Sequence, residues 1–550
     1  MTTPDTDQLA DEAAVTHAAT DDSAVAGPDA TSPSLGRQVK RGAAWSGLNS
    51  IVMRLASFMV GIVSARLIAP DEFGVFTVAL TVHAIVLNIS DFGVSAYLVR
   101  HSGNLDRIAP TITTVSIASG GALAGLMALL APTLATALGS AQATTPIRIL
   151  SMTVLIAGFA AVPTSLIQRE FRQDKRFLAE AVSFVISTTL LITLAVNGGG
   201  ALALAWSLLF GHAVAALMMI ALAPARYRPG FDRSQLRTLF AFGLPLLGAS
   251  FLGFTVGNVD YMVIGRVKGA HPLGLYTLAY NIASWPYTII TSVLTSVALA
   301  AFSRLRHDRA RMPEYLGTAI AVLLAVAMPV SAMIMALAEP LVVCVYGGRW
   351  LGAAGALSIT ALYGAMRIPA DLFSNVAISY GRTRAMLVNQ VVYFLALTPM
   401  TIVGVRWLGI VGAGWAHVFG LGLVLLPGFV LILRPTAGLN LSILRRAAAP
   451  PVLAATLAGI VAHVVSRGVG LNWASLILGG LAGLLVYLAV LSRWLLRLSR
   501  RSTLLWGSTR GEGPAPDPAP APDPTPAPDP TPAPGLGLSA FPTPAGDPHA

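Results

Sequence analysis

The sequence predicts an all-α protein that crosses a membrane many times. Of its 550 residues, 55% are hydrophobic and only 11% are charged, and the mean hydropathy is +0.70. About a quarter of the residues in a soluble domain are charged. Apolar runs of roughly 20 residues, long enough for a helix to cross a bilayer, recur between residues 43 and 496. We therefore expect a polytopic helical membrane protein.

The apolar runs predict about fourteen membrane-spanning helices. Prolines inside several of them are compatible with a membrane bundle, where neighbouring groups satisfy the freed backbone atoms. The spans lie near residues 44–65, 73–97, 110–137, 147–168, 177–196, 201–223, 240–263, 274–300, 317–338, 352–378, 385–405, 409–433, 447–466 and 474–496.

Basic residues alternate between the predicted loops and indicate the orientation of the chain. Twenty-seven of the 36 lysines and arginines lie on the side of the amino terminus and seven lie on the opposite side. Cytoplasmic loops are enriched in lysine and arginine, so we expect a cytoplasmic-membrane protein with both termini in the cytoplasm. This placement also accounts for the net charge of +11, and we expect no nucleic-acid partner.

A repeat of 200 residues organises the chain. The stretch 65–79, between the first two spans, recurs at 265–279. Such a duplicated hairpin is typical of transporters built from two repeats. We expect two pseudo-symmetric six-helix lobes around a central cavity, plus two extra carboxy-terminal helices. The paired positions are Arg66/Arg266, Gly74/Gly274, Phe76/Tyr276, Thr77/Thr277 and Ala79/Ala279.

The repeat and the composition together divide the chain into five segments. The terminal segments lack apolar periodicity or are rich in proline, which is typical of disorder. The segments are a disordered acidic tail (1–35), an N-lobe with helices 1–6 (36–236), a C-lobe with helices 7–12 (237–434), helices 13–14 (435–500) and a proline-rich disordered cytoplasmic tail (501–550).

The sequence carries no recognisable signature of catalysis. The outer loops are short, as at 197–200, and neither a phosphate-binding loop nor histidine and cysteine residues at metal-ligand spacing are present. We expect no enzymatic activity, no metal and no cofactor. A membrane glycosyltransferase or polymerase would need catalytic carboxylates near the outer surface, and usually a large outer loop to hold them.

Several short motifs between residues 42 and 384 occur in an order and spacing that resemble one family. The motifs are LIAPDEFG at 67–74, SDFGVS at 90–95, NVDYMVIGR at 258–266, LGLY at 273–276, FSRL at 302–305, AEPL at 338–341 and GGRW at 347–350. Together they resemble the polysaccharide flippases, the Wzx-type translocases of the multidrug/oligosaccharidyl-lipid/polysaccharide exporter superfamily.

The resemblance implies export of an undecaprenyl-diphosphate-linked oligosaccharide across the cytoplasmic membrane by alternating access. A proton or sodium gradient is the implied energy source. Implied partners are the lipid-linked oligosaccharide, membrane lipids, and the polysaccharide polymerase and glycosyltransferases of the same pathway. A drug/cation antiporter of the same superfamily would share the twelve-helix repeat and is the alternative.

Arg54 is the first candidate for the substrate cavity. A charge at membrane depth is costly unless it is paired or hydrated, so it marks a functional position. Arg54 lies in the middle of the first span, which contains no acidic residue. A guanidinium can hold a diphosphate through two parallel hydrogen bonds. The structural alternative is an ion pair with Asp91 or Asp260.

Asn258 and Asp260, near the outer end of the seventh span, are further candidates for the substrate cavity. Asp260 is a candidate for a coupling proton or cation in the cavity. Its structural alternative, which we favour, is to brace Arg66 or Arg266 where the lobes meet. With Gly74 and Gly274, these two arginines are expected to shape the outer gate.

Three further acidic and basic residues have two interpretations each. Asp91 is predicted to lie at the cytoplasmic opening of the cavity; the structural alternative is a pair with Arg100. Arg367 and Asp371 are four residues apart on one helix, which favours an intrahelical ion pair over contact with the substrate.

Buried histidines and edge tryptophans complete the candidates. His83, His212 and His417 fall within spans, where they could titrate near neutral pH but more often form packing hydrogen bonds. Trp45, Trp350 and Trp407 lie at span edges, which is typical of interfacial anchors.

Overall fold

The computed structural model describes residues 56–90, 97–98, 105–305 and 312–507. Across these ranges the chain is helical, with short connections and no strand. Trp45, Arg54, Asp91 and the predicted terminal tails lie outside them, apart from residues 501–507. The described residues up to Leu498 form one compact unit.

The described residues of the first part of the chain form six long helices, which we call the N-lobe in keeping with the repeat. The short connection between α3 and α4 contains a further helical segment, Ala131–Ala137. The helices are α1 (Ala56–Leu67), α2 (Pro70–Ser90), α3 (Leu105–Leu129), α4 (Thr144–Arg169), α5 (Gln173–Val196) and α6 (Gly200–Leu222).

Eight further long helices follow in the described residues, and we call the first six of them the C-lobe. Short helical turns fill residues 338–353 between α9 and α10. The helices are α7 (Arg233–Lys268), α8 (Ala270–Leu305), α9 (Met312–Ala336), α10 (Ala354–Ser379), α11 (Thr383–Leu408), α12 (Ile410–Ala437), α13 (Leu441–Val469) and α14 (Trp473–Gly507).

The described helices agree with a multi-pass membrane protein. Eleven helical segments in the described ranges are long and apolar enough to cross a membrane. The all-helical fold class is therefore confirmed. The total of fourteen spans and the orientation of the termini stay predictions.

Local sequence signals explain where several helices begin and end. Pro70 opens α2, where its missing N–H costs nothing and its fixed φ suits a first helical turn. Asn440 precedes α13, and its side chain accepts a hydrogen bond from the Ile443 backbone N–H at 3.0 Å. Gly269 (φ 84°) makes the turn between α7 and α8.

The packing places α2 and α8 at the centre of the bundle. One apolar core joins residues of both helices, including Val75, Val78, Leu275 and Ala279. The core therefore crosses the boundary between the two sequence repeats.

The two extra helices pack on the C-lobe through α9. Ala454 and Ala458 of α13 share an apolar cluster with Tyr487 and Leu491 of α14. The Tyr487 hydroxyl also donates a hydrogen bond to the Ala325 carbonyl of α9 at 2.8 Å. Helices α13 and α14 therefore extend the C-lobe side of the bundle.

Candidate functional site

The two copies of the repeated hairpin contact each other. We call this end of the bundle, around residues 65–77 and 265–277, the hairpin end. The hydroxyls of Thr77 and Thr277 lie 3.1 Å apart in a buried hydrogen bond. Because these residues are equivalent in the repeat, the pseudo-twofold axis passes between them.

Gly74 and Gly274 set how closely α2 and α8 approach. A Cβ added at Gly74 would overlap the backbone carbonyl of Ala270, and one added at Gly274 would overlap that of Pro70. Small residues allow this close backbone approach between helices in a membrane. Both glycines thus lie in the contact between the repeats, where the sequence predicted a gate.

Arg66 joins the end of α1 to the segment 338–353. Its Nε donates to the Val345 carbonyl at 2.8 Å, and its Nη2 donates to the Cys344 carbonyl. Arg66 therefore connects the N-lobe to the C-lobe through backbone acceptors, and none of these contacts involves Asp260.

Arg349, in the segment 338–353, donates hydrogen bonds back to the end of α1. Its Nη2 donates to the carbonyls of Ala65, at 2.8 Å, and of Arg66. The last carbonyls of a helix lack partners within the helix and lie at the negative end of its dipole. Arg349 therefore caps the carboxyl end of α1 from the other lobe.

Trp350 supports the same cap and is not an interfacial anchor. The side chain is fully buried, its Nε1 donates to the Ala65 carbonyl at 2.8 Å, and its ring meets Phe73 edge to face at 5.4 Å. The prediction from its position at a span edge is wrong because the segment 338–353 folds inward against α1. Trp407, in contrast, is 83% exposed.

An equivalent backbone contact occurs at the end of α7. Gly139, which follows the helical segment after α3, has φ 88° and lies so close to Gly265 that a Cβ would overlap the Gly265 carbonyl. The segment after α3 thus meets α7 much as the segment 338–353 meets α1. The Arg266 side chain is exposed.

A third contact between the repeats is made by two ionisable side chains. His271 Nδ1 lies 3.1 Å from Asp71 Oδ2, and both side chains are at least half exposed. The two residues occupy equivalent positions in the first turns of α8 and α2. The contact is an ion pair only when His271 is protonated.

Asp260 is fully buried in a cluster of C-lobe side chains. It accepts hydrogen bonds from the Tyr276 hydroxyl at 2.6 Å and the Tyr261 backbone N–H at 3.0 Å. His417 Nε2 lies 3.2 Å from Asp260 Oδ2, within ion-pair distance but without the alignment of a hydrogen bond.

These contacts correct two expectations. Asp260 does not brace Arg66 or Arg266, because its carboxylate points into the C-lobe towards α8 and α12. Its complete burial also keeps it from lining an open cavity in this conformation. Asn258 is half-buried, and its side-chain amide donates to the Phe254 carbonyl of its own helix at 2.8 Å.

Tyrosines extend the cluster across the C-lobe. The Tyr363 ring lies 4.6 Å from the His417 ring, and the Tyr393 hydroxyl lies 3.5 Å from His417 Nδ1. We call Asp260, Tyr276, Tyr363, Tyr393 and His417 the buried polar network. It joins five helices (α7, α8, α10, α11 and α12), and buried polar groups need such partners to offset lost hydration.

Arg367 and Asp371 meet through Tyr287 of α8. The Tyr287 hydroxyl donates to Asp371 Oδ2, and the Arg367 guanidinium carbon lies 4.4 Å from the centre of the Tyr287 ring, a cation–π contact. The predicted intrahelical ion pair is wrong for these two described residues, because Tyr287 takes the position between them. Both side chains are only partly buried.

The sequence identified the charged candidate residues better than it identified the side chains that contact them. Arg349, Tyr287, Tyr363 and Tyr393 were not singled out, although Tyr363, Arg367 and Asp371 recur every four residues and so share one face of α10. That spacing was the available signal for an aromatic and charged helix face.

Comparison with known proteins agrees with this architecture. The sequence model of a family described as "Polysaccharide biosynthesis protein" matches residues 63–355. The succinoglycan biosynthesis transport protein ExoT of Rhizobium meliloti (strain 1021) is 26% identical over 401 residues, which cover 68% of this chain and 80% of ExoT.

Two solved structures share the fold. The lipid II flippase MurJ in an inward closed conformation has a TM-score of 0.65 at 14% identity, covering 84% of this chain and 100% of that one. An inward-facing multidrug resistance MATE transporter of the MOP superfamily has a TM-score of 0.58 at 17% identity. The match covers 70% of this chain and 94% of the MATE transporter. The chain therefore belongs to the polysaccharide biosynthesis protein family, and its resemblance to the polysaccharide flippases of that superfamily is confirmed.

Proposed function

We propose that the protein translocates an undecaprenyl-diphosphate-linked oligosaccharide across the cytoplasmic membrane, without enzymatic activity, by alternating access. Family membership and the similarity to a polysaccharide transport protein support the substrate class. The observation that carries the mechanism is the contact between Thr77 and Thr277 at the hairpin end. It joins equivalent points of two lobes that can rock about the axis between them.

The hairpin-end contacts account for one of the two states. Besides the threonines, Arg66 and Arg349 connect the lobes through four hydrogen bonds to carbonyl oxygens. With the termini in the cytoplasm this end faces outward, and its closure is what the proposal expects of an inward-facing state. Each hydrogen bond contributes about 1 kcal/mol net. The total stabilisation of the closed hairpin end is therefore small enough for the free energy of substrate binding to overcome.

The substrate diphosphate would be held by arginines at membrane depth. Arg367 is partly exposed, and the Tyr287 ring holds its guanidinium in place. Arg54 stays a prediction for the same role from the N-lobe. Two guanidiniums suit a diphosphate, since each binds a phosphate through two donors.

Coupling to a proton or sodium gradient is assigned to the buried polar network. A buried carboxylate beside an imidazole is stable only if its charge is compensated. Gain or loss of a cation at Asp260 and His417 therefore changes the packing of α7 against α8 and α12. Because α8 also carries Thr277, such a change reaches the hairpin end.

A drug/cation antiporter is the second candidate, because the MATE transporter shares the fold. Depletion of the protein in its native host distinguishes the two. The flippase proposal predicts that lipid-linked glycan accumulates in the inner leaflet, measured by its protection from an externally added glycan-modifying enzyme. Increased drug sensitivity with normal glycan export would replace the flippase by the antiporter.

A further inference from the structure

Two adjoining cavities lie between α9, α10 and α13, outside the buried polar network. The larger has a volume of about 780 Å³ and walls that are almost entirely apolar. Its lining includes Met328, Leu362, Val452 and Ile460. We call this cavity the apolar groove.

The smaller cavity, of about 250 Å³, lies at the hairpin end of the groove. We call it the polar pocket. Four residues line both cavities, so the two are continuous: Met335, Ala336, Ser358 and His463.

The polar pocket carries one side chain of each charge. Arg467 comes from the last turn of α13, and Glu339 comes from the short helical turn after α9. Both side chains are exposed, and within the described structure they do not form an ion pair with each other. Ser358 and Ser466 add hydroxyls to the same wall.

We propose that the groove and the pocket bind phosphatidylethanolamine, a diacyl lipid whose headgroup carries a phosphate and a primary ammonium. Arg467 meets the phosphate, because a guanidinium matches phosphate geometry. Glu339 meets the ammonium. The acyl chains lie against the walls of the apolar groove.

Charge complementarity selects this lipid over other membrane lipids. A phosphatidylglycerol headgroup would satisfy Arg467 through its phosphate, but its terminal glycerol is neutral and offers Glu339 no cation. The trimethylammonium of a choline headgroup has no N–H to donate to Glu339. The proposal does not depend on the transported substrate, since the site uses neither the hairpin-end residues nor Arg367.

Native mass spectrometry of the purified full-length chain tests the site. The protein is offered phosphatidylethanolamine, phosphatidylglycerol or phosphatidylcholine with the same acyl chains. We expect phosphatidylethanolamine to be retained about threefold or more over each of the others, the scale of a partly exposed ion pair. Equal retention of the three lipids would overturn the proposal.

Four variants separate the contribution of the headgroup contacts from that of the acyl chains in the apolar groove. Arg467→Gln lowers phosphatidylethanolamine retention, and Glu339→Gln lowers it while leaving phosphatidylglycerol unchanged or increased. Ile460→Trp fills the groove and lowers retention of all diacyl lipids. Leu457→Trp is the matched control, since Leu457 lies on the same helix, is 46% exposed and does not line the groove.

Three results contradict the assignment. Loss of retention in Leu457→Trp equal to that in Ile460→Trp would mean that the effect is not local to the groove. Unchanged retention in Arg467→Gln and Glu339→Gln would remove the headgroup argument. Displacement of the retained lipid by a lipid-linked oligosaccharide would assign the groove to the substrate.

Discussion

Thr77 and Thr277 are equivalent residues of two sequence repeats, and their hydroxyls lie 3.1 Å apart at the seam between the lobes. One turn earlier, Gly74 and Gly274 bring the backbones of α2 and α8 together. In the described part of the chain, the repeated hairpin itself thus makes a close backbone contact between the lobes. A transporter that alternates between two states must make and break this contact.

Gly274→Ala should weaken closure of the hairpin end. The added Cβ overlaps the Pro70 carbonyl, and overpacking of this kind costs about 1–3 kcal/mol. We expect reduced glycan export at normal protein level, and a lower unfolding temperature in detergent. Gly257→Ala is the control, because a Cβ there meets nothing within 4 Å. Equal behaviour of the two variants would show that the close approach is not needed.

Arg349→Gln should loosen the connection between α1 and the segment 338–353. The change removes the charged cap on the carbonyls of Ala65 and Arg66, a loss of about 1 kcal/mol. In a Cys344→Ala background, we expect a cysteine introduced at Thr77 to react faster with a membrane-impermeant maleimide in this variant. Arg406→Gln, at another exposed arginine, is expected to leave the rate unchanged. An unaltered rate in Arg349→Gln would argue against its role in closure.

Asp260→Asn should uncouple transport from the ion gradient. The substitution keeps the shape of the side chain but removes the charge beside His417 and Tyr276. We expect export in proteoliposomes to lose its response to an imposed gradient, with a rate at least about tenfold lower, equivalent to about 1.4 kcal/mol. Tyr276→Phe removes one hydrogen bond and keeps the charge, so it should lower stability while the gradient response remains.

A double-mutant cycle checks that Asp260 and His417 act together. If the two side chains form one site, the effect of Asp260→Asn combined with His417→Gln will be smaller than the sum of the single effects. Additive effects would show that His417 is only a packing residue.

Arg367→Lys should impair substrate binding although it keeps the charge. Lysine lacks the planar fork that binds a phosphate through two donors and that stacks on Tyr287. We expect the apparent KM for the lipid-linked substrate to rise about tenfold, a difference of about 1.4 kcal/mol, with little change in protein level. Arg406→Lys serves as the control. An unchanged KM would remove Arg367 from the substrate site.

The repeat made the central contact predictable from sequence. Glycines at equivalent positions in a duplicated hairpin indicate where two lobes approach, and Gly74 and Gly274 lie in that contact. The order of the helices was also predictable, because each span is an apolar run of regular length. Both features depend on patterns that are local or repeated along the chain.

The partners of the charged residues were not predictable in the same way. Arg66 and Arg349 bind backbone carbonyls, and every residue offers one of these, so no side-chain pattern marks the acceptor. Asp260 meets His417, which is 157 residues further along the chain, and nothing in the sequence relates the two. Trp350 was misassigned because its burial depends on how the segment 338–353 folds against α1.

A reversible crosslink between the repeats tests the central claim most directly. In a Cys344→Ala background, which has no other cysteine, Thr77→Cys and Thr277→Cys place two thiols where the hydroxyls now lie 3.1 Å apart. A small shift brings them to disulfide distance. The account predicts that oxidation crosslinks the chain and stops glycan export, and that reduction restores it. Export at the full rate by the crosslinked protein would contradict alternating access through this contact.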